Sequence, residues 1–143
     1  MLGVVYWDGQ GVGVEISTTF FHDPSACLRQ IVTALLFCVI GFPVESVYET
    51  CLAYKLKELG ITVEQQRPIP LYYDSVKMDC GFRSDLIIEN KLIIEAKSVD
   101  ALNEIHLAQI LTHLRLSNIK LGLLINFNVI KLKDGIRRVV NNL

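Results

Sequence analysis

Asp85, Glu95 and Lys97 stand within the stretch "SDLIIENKLIIEAKS" (84–98), whose other residues are mostly apolar. The pattern D-x9-E-x-K could hold a cation between two carboxylates, with a lysine beside the second. In a strand, residues two apart share a face, so Glu95 and Lys97 point the same way. The direction of Asp85 depends on the turn between the strands. A two-residue turn at Glu89-Asn90 would put Asp85 opposite Ile94 and split the acids between faces. A three-residue turn that adds Lys91 would put Asp85 opposite Glu95, Ile87 opposite Ile93, and Arg83 opposite Lys97. Directly opposed residues have Cβ atoms about 5 Å apart. Carboxylates that close repel, and a divalent cation between them removes the cost. Magnesium takes oxygen ligands and binds through one or two carboxylates with water and phosphate; manganese is the alternative ion. Lys97 could then orient a water or steady charge developing on a phosphate. Acids and lysines in a strand more often form a solvated face, but the flanking "LII" and "LIIEA" imply burial, and buried charges need partners.

Two further stretches could join this site. Glu45 opens a helical pattern, with Tyr48 one turn on. An acid there complements the helix dipole and could also be a third carboxylate on the metal side. In "EIHLAQILTH", His106, Gln109 and His113 fall at i, i+3 and i+7, a polar stripe beside the apolar face. It reads as an ordinary helix flank or as donors that touch substrate phosphate.

These residues need a scaffold. Residues 26–40 read as a mostly apolar helix. A second helix starts near Pro43, which suits a first helical position; Val44, Val47, Tyr48, Leu52, Leu56 and Leu59 follow its period, and Gly60 stops it. Strands are expected at 61–66, 69–73, 76–88 and 92–97, then a helix at about 101–117. The apolar "KLGLLINFN" is a further strand, expected at the centre of the sheet by its composition. "LKDGIRRVVNNL" is a basic tail with partial helix. The order implies an α/β domain, a mixed sheet with helices on both faces. Residues 1–25 differ in texture and form an atypical extension; "VVYWDGQGVGVEI" suggests a hairpin there, and its glycines do not match a dinucleotide fingerprint. The folded domain is 26–143.

The chain has 143 residues, is 51% hydrophobic and carries a formal net charge of −1. One domain is expected, without a global basic field, so nucleic-acid binding would rest on a local patch. Lys131, Lys133, Arg137 and Arg138 are candidates for the nucleic-acid backbone or a solvated tail. Cys27, Cys38, Cys51 and Cys80 lack metal-site spacing and read as buried reduced thiols of a cytoplasmic protein. The apolar run 31–44 is shorter than the roughly 20 residues of a membrane span, so no membrane partner is expected. A homodimer is compatible with so apolar a chain.

"ESVYETCLAYKLKELGI", "DCGFRSDLIIENKLIIEAKSV", "IHLAQILTHLRL" and "KLGLLINFNV…LKDGIRRVVN" together resemble the GxxExxY proteins, small prokaryotic members of the PD-(D/E)XK nuclease superfamily, over residues 41–143. The resemblance implies a restriction-endonuclease-like core and a magnesium-dependent phosphodiesterase site of Asp85, Glu95 and Lys97. It matches Glu45 and Tyr48 to the family's glutamate and tyrosine, and Gln109 to a helix glutamine near the site. Phe42 stands where the family has glycine, with Gly41 one earlier. Asp74-Ser75 stands for Asp-Gly, and His113 for a common tyrosine. The expected function is nuclease-like hydrolysis of DNA or RNA phosphodiesters. The competing expectation is a non-catalytic binding or assembly module that retains the fold.

Overall fold

The computed structural model describes residues 44–142. The expected extension, the helix at 26–40, Pro43, Cys27 and Cys38 lie outside the described residues.

Helix α1 spans Glu45–Glu58 and buries Tyr48, Glu49, Leu52, Ala53 and Leu56. These recur at helical spacing and form one inward stripe. Cys51 lies off that stripe and is exposed, against the expectation that it is buried. The helix ends as its sequence requires. Gly60 takes φ +76°, its N–H donates to Lys57 O (2.9 Å), and the Ile61 N–H donates to Leu56 O (3.0 Å). Ile61 and Leu56, both buried, close the turn with an apolar contact.

A five-stranded sheet follows in the order β1-β2-β3-β4-β5. Strands β1 (Val63–Tyr73) and β2 (Val76–Ile88) form a long antiparallel hairpin. The sequence suggested two strands, 61–66 and 69–73, where the structure runs one strand through Pro68 and Pro70. Both sit in an edge strand, where a missing N–H faces outward or a bulge. Opposite Pro70 the register shifts: β1 advances from Ile69 to Leu71 while β2 runs from Phe82 back to Met78. β3 (Leu92–Lys97) pairs antiparallel with β2 and parallel with β4 (Leu121–Asn126). Helix α2 (Glu104–Ser117) makes the crossover between β3 and β4. β5 (Ile136–Val140) adds antiparallel to β4, after a 3-10 turn at Leu132–Gly135. The basic tail is therefore largely a strand, its Ile136, Val139 and Val140 being β-branched.

Each helix covers one sheet face. On the α1 side, Tyr48, Leu52 and Leu56 join Leu86, Ile88, Leu92, Ile94, Leu123 and Ile125 in a core. On the other face, Ile110 and Leu114 of α2 pack with Ile87, Ile93 and Leu124. Every residue of β4 is buried, as expected of a strand covered on both faces. Gly122 permits the close approach of α2. A Cβ there would lie 2.8 Å from Ile110 Cδ1 and 3.1 Å from Leu114 Cδ1. The fold is the mixed α/β sheet with flanking helices that the sequence implied. Among the described residues no helix is long and apolar enough to cross a membrane.

Candidate active site

The turn between β2 and β3 decides where Asp85 lies. Ile88 pairs with Leu92, Ile87 with Ile93 and Leu86 with Ile94, so the turn is the three-residue one. Glu89 and Asn90 take φ values of 52° and 53°, and the Lys91 N–H donates to Ile88 O (2.9 Å). This register carries Asp85 to the level of Glu95. The ladder ends one pair short of it, at Leu86 and Ile94, so neither the expected Asp85–Glu95 pair nor the Arg83–Lys97 pair forms. Instead Asp85 Oδ2 accepts the Ala96 N–H at 2.9 Å. The carboxylate takes up a backbone donor of β3 at the point where β2 parts from it.

Asp85 therefore stands at a fork in the sheet, with a carboxylate on either side. Glu49, from α1, is 7% exposed. Its Oε2 accepts from Gln66 Nε2 at 2.8 Å, and the same amide nitrogen lies 3.4 Å from Asp85 Oδ1. Gln66 takes φ +50°, a left-handed conformation costing on the order of 1 kcal/mol. That conformation belongs to the residue that links the two acids. Burial raises the Glu49 carboxyl above its ordinary value of 4.5; the Gln66 hydrogen bond opposes this and the Asp85 charge adds to it.

Glu95, from β3, is fully buried. Its Oε1 lies 2.6 Å from His113 Nδ1, and Gln109 Nε2 donates to Oε2 at 3.4 Å. His113 is itself 2% exposed. Burial raises the Glu95 carboxyl above 4.5; the His113 hydrogen bond pulls it down, Asp85 pushes it up, and Lys97 pulls it down. Lys97 is half-buried and pairs with Asn126 at the carboxyl ends of β3 and β4. In open α/β sheets, ligand crevices form outside such strand ends.

The segment after Lys97 is tied down from two sides. Glu45 Oε1 accepts the Ser98 N–H at 3.0 Å, which fixes the start of α1 beside the lysine. Asn126, 2% exposed, accepts the Val99 N–H (3.1 Å) and Asn128 N–H (3.1 Å) and donates to Val99 O (2.8 Å).

The remaining expected residues separate. Tyr48 is 2% exposed and stacks on Phe127, with ring centroids 4.2 Å apart and planes at 8°. It lies inside the core, not at a surface where substrate would pass. His106 completes the α2 capping box: its Nδ1 accepts the Asn103 N–H (3.2 Å) while Asn103 Oδ1 accepts the His106 N–H. That cap begins the helix at Glu104, later than the sequence suggested. Arg137 and Arg138 are adjacent in β5 and so point to opposite faces; Arg137 Nη1 donates to Asp134 O and Ile136 O. Lys131 and Lys133 are exposed. Glu49, Gln66 and Asn126 were missed. Only Glu49 carried a signal, an acid one turn beyond Glu45 on the apolar stripe of α1.

Among the described residues, no three His, Cys, Asp or Glu side chains converge as a metal cage. Asp85 and Glu95 are a hard-oxygen pair of the sort that binds magnesium with solvent and phosphate completing the shell. The donor set fits such an ion through two carboxylates.

Residues 32–139 match the family model of the PD-(D/E)XK nuclease superfamily. No curated protein and no solved structure matches the chain. The family model spans well over half of the sequence and takes in Asp85, Glu95, Lys97 and both helices that brace them, so the chain belongs to the PD-(D/E)XK nuclease superfamily.

Proposed function

We propose that this protein hydrolyses phosphodiester bonds of DNA or RNA with the help of a divalent cation, magnesium or manganese. The observation that carries the reading is the superfamily match over residues 32–139, which takes in Asp85, Glu95 and Lys97, with Asp85 held at the fork between β2 and β3 by the Ala96 N–H. When bound, the cation would polarise the scissile phosphate and lower the pKa of a bound water. Asp85 and Glu95 would hold it. Lys97, one pleat beyond Glu95 on the same face, positions the attacking water and offsets charge on the phosphate. Glu45 assists from the start of α1 by bracing the chain that leaves Lys97. Gln109 steadies Glu95 Oε2. His106 lies a turn nearer the helix start and is a weaker candidate for substrate contact.

The test compares wild type with Lys97→Ala on mixed single- and double-stranded DNA and RNA, with magnesium, manganese or chelator. Cation-dependent cleavage that the substitution reduces by about 100-fold or more supports the reading. Cleavage unaffected by chelator, or equal in the variant, refutes it.

A second reading has one observation in its favour. Glu95 is fully buried and both its oxygens already have side-chain partners. A binding module that retains the nuclease fold could keep such a pair for stability alone. It would show neither cleavage nor stabilisation by cations.

A further inference from the structure

We infer that His113 is a positioning residue that fixes the orientation of Glu95 for cation binding; this rests on the reading of Glu95 as a ligand. The two ends of the Glu95 carboxylate are held unequally. Oε1 meets His113 Nδ1 at 2.6 Å, whereas Oε2 has only Gln109 Nε2 at 3.4 Å. When Glu95 is ionised it can only accept, so Nδ1 must carry the proton of that bond. A short charge-assisted bond at one oxygen leaves the other as the available donor. The arrangement selects one carboxylate oxygen, Oε2, for the ion.

The imidazole is itself held in place. His113 is one helical turn beyond Gln109, so both reach Glu95 from the same face of α2. Its ring lies edge-on to Phe82 of β2, centroids 5.8 Å apart at 68°. Ile110 and Leu114, its neighbours on the helix, are fully buried. The ring is thus fixed by the core of α2 on one side and by the β1–β2 hairpin on the other. Partners of this kind orient a ligand and fix its basicity, and their loss costs about 10–100-fold in metal affinity.

The test measures Mn2+ binding by calorimetry for wild type, Glu95→Ala, His113→Phe and His113→Asn, each checked for folding by thermal melt. His113→Phe keeps a ring beside Phe82 and removes the hydrogen bond; His113→Asn restores a donor close to the Nδ1 position. The dissociation constant should rise about 10–100-fold in His113→Phe and recover most of the way in His113→Asn. The Mn2+ concentration for half-maximal cleavage should rise in parallel, with a smaller change in rate at saturation. A His113→Phe affinity within about threefold of wild type would leave the ring as packing only and overturn the inference. Should that variant fail to fold, the imidazole nitrogen resonances of the wild type decide. On adding Mg2+ those of His113 should shift while those of His106, in its capping box, stay; unmoved His113 signals overturn the inference. Binding by Glu95→Ala equal to wild type, or no Mn2+ binding by wild type, defeats instead the underlying view of Glu95 as a ligand.

Discussion

Replacing Glu95 with glutamine keeps the side chain's shape and removes its charge. The residue is fully buried, and burial together with Asp85 holds its carboxyl above the ordinary value of 4.5. The folded protein therefore favours the neutral form more than the unfolded chain does. Each pH unit of that displacement is worth about 1.4 kcal/mol. Glutamine is neutral at every pH. Against this, the bond to His113 loses its charge assistance, a loss of about 1 kcal/mol. The direction of the displacement already includes that bond, and it remains upward. Glu95→Gln should therefore stabilise the cation-free protein at pH 7 and raise its Tm. Adding Mg2+ at 100 times its dissociation constant stabilises the wild type by about 2.7 kcal/mol and should leave the variant nearly unchanged. The two melting curves should exchange order. The assay is thermal unfolding of both proteins with chelator and across an Mg2+ titration. A variant less stable than wild type in chelator would refute the electrostatic reasoning, and equal gains from Mg2+ would refute the ligand assignment.

Three more outcomes follow from the same geometry. Glu49 and Glu95 both have raised carboxyl pKa values, so their contribution is present in full below about 4.5 and is lost as pH rises through the folded-state values; denaturant titrations of the cation-free protein should show this loss, and the double variant Glu49→Gln/Glu95→Gln should show a flatter profile. Gly122→Val should lower stability by about 1–3 kcal/mol, because its Cβ alone would lie 2.8 Å from Ile110 Cδ1; an unchanged urea midpoint would mean that α2 shifts at no cost. Asn126→Ala removes three hydrogen bonds from a buried side chain and should cost about 2–3 kcal/mol while speeding amide exchange at Val99, which protein NMR would read.

The hairpin 76–97 was readable in outline because alternation and the run of isoleucines fixed its strands and faces. Its turn was not, since Glu89-Asn90 suits either length and only the packing of Ile87 and Ile93 against α2 selects the register. The placement of Asp85 beside the end of β3, where its Oδ2 accepts the Ala96 N–H, followed from that one choice. The expected split of β1 into 61–66 and 69–73 left out Pro68, which a strand tolerates at an edge, and local signals do not say where an edge lies. Cys51 was misplaced for a related reason: its apolar neighbour Leu52 is one residue on, about 100° around α1, and lies on the buried side while Cys51 does not. The link from Glu49 through Gln66 to Asp85 joins residues from a helix and two strands, and no local pattern marks such a meeting. His113 was picked out by its stripe, but its partner could be named only once α2 lay across β3.

The border formed by β1 has a consequence for self-association. Two imino residues, Pro68 and Pro70, interrupt its row of backbone donors. A second chain trying to extend the sheet there would find gaps in the rungs, which is a known defence against runaway stacking into fibrils. Among the described residues the opposite border, β5, is only five residues long. A symmetric pair built by continuing this sheet would therefore have to use the short border, and its reach would be limited to those five residues. Among the described residues, a stronger union of two copies would rest on side chains of a face or a helix, and surface substitutions that leave the sheet intact would separate it.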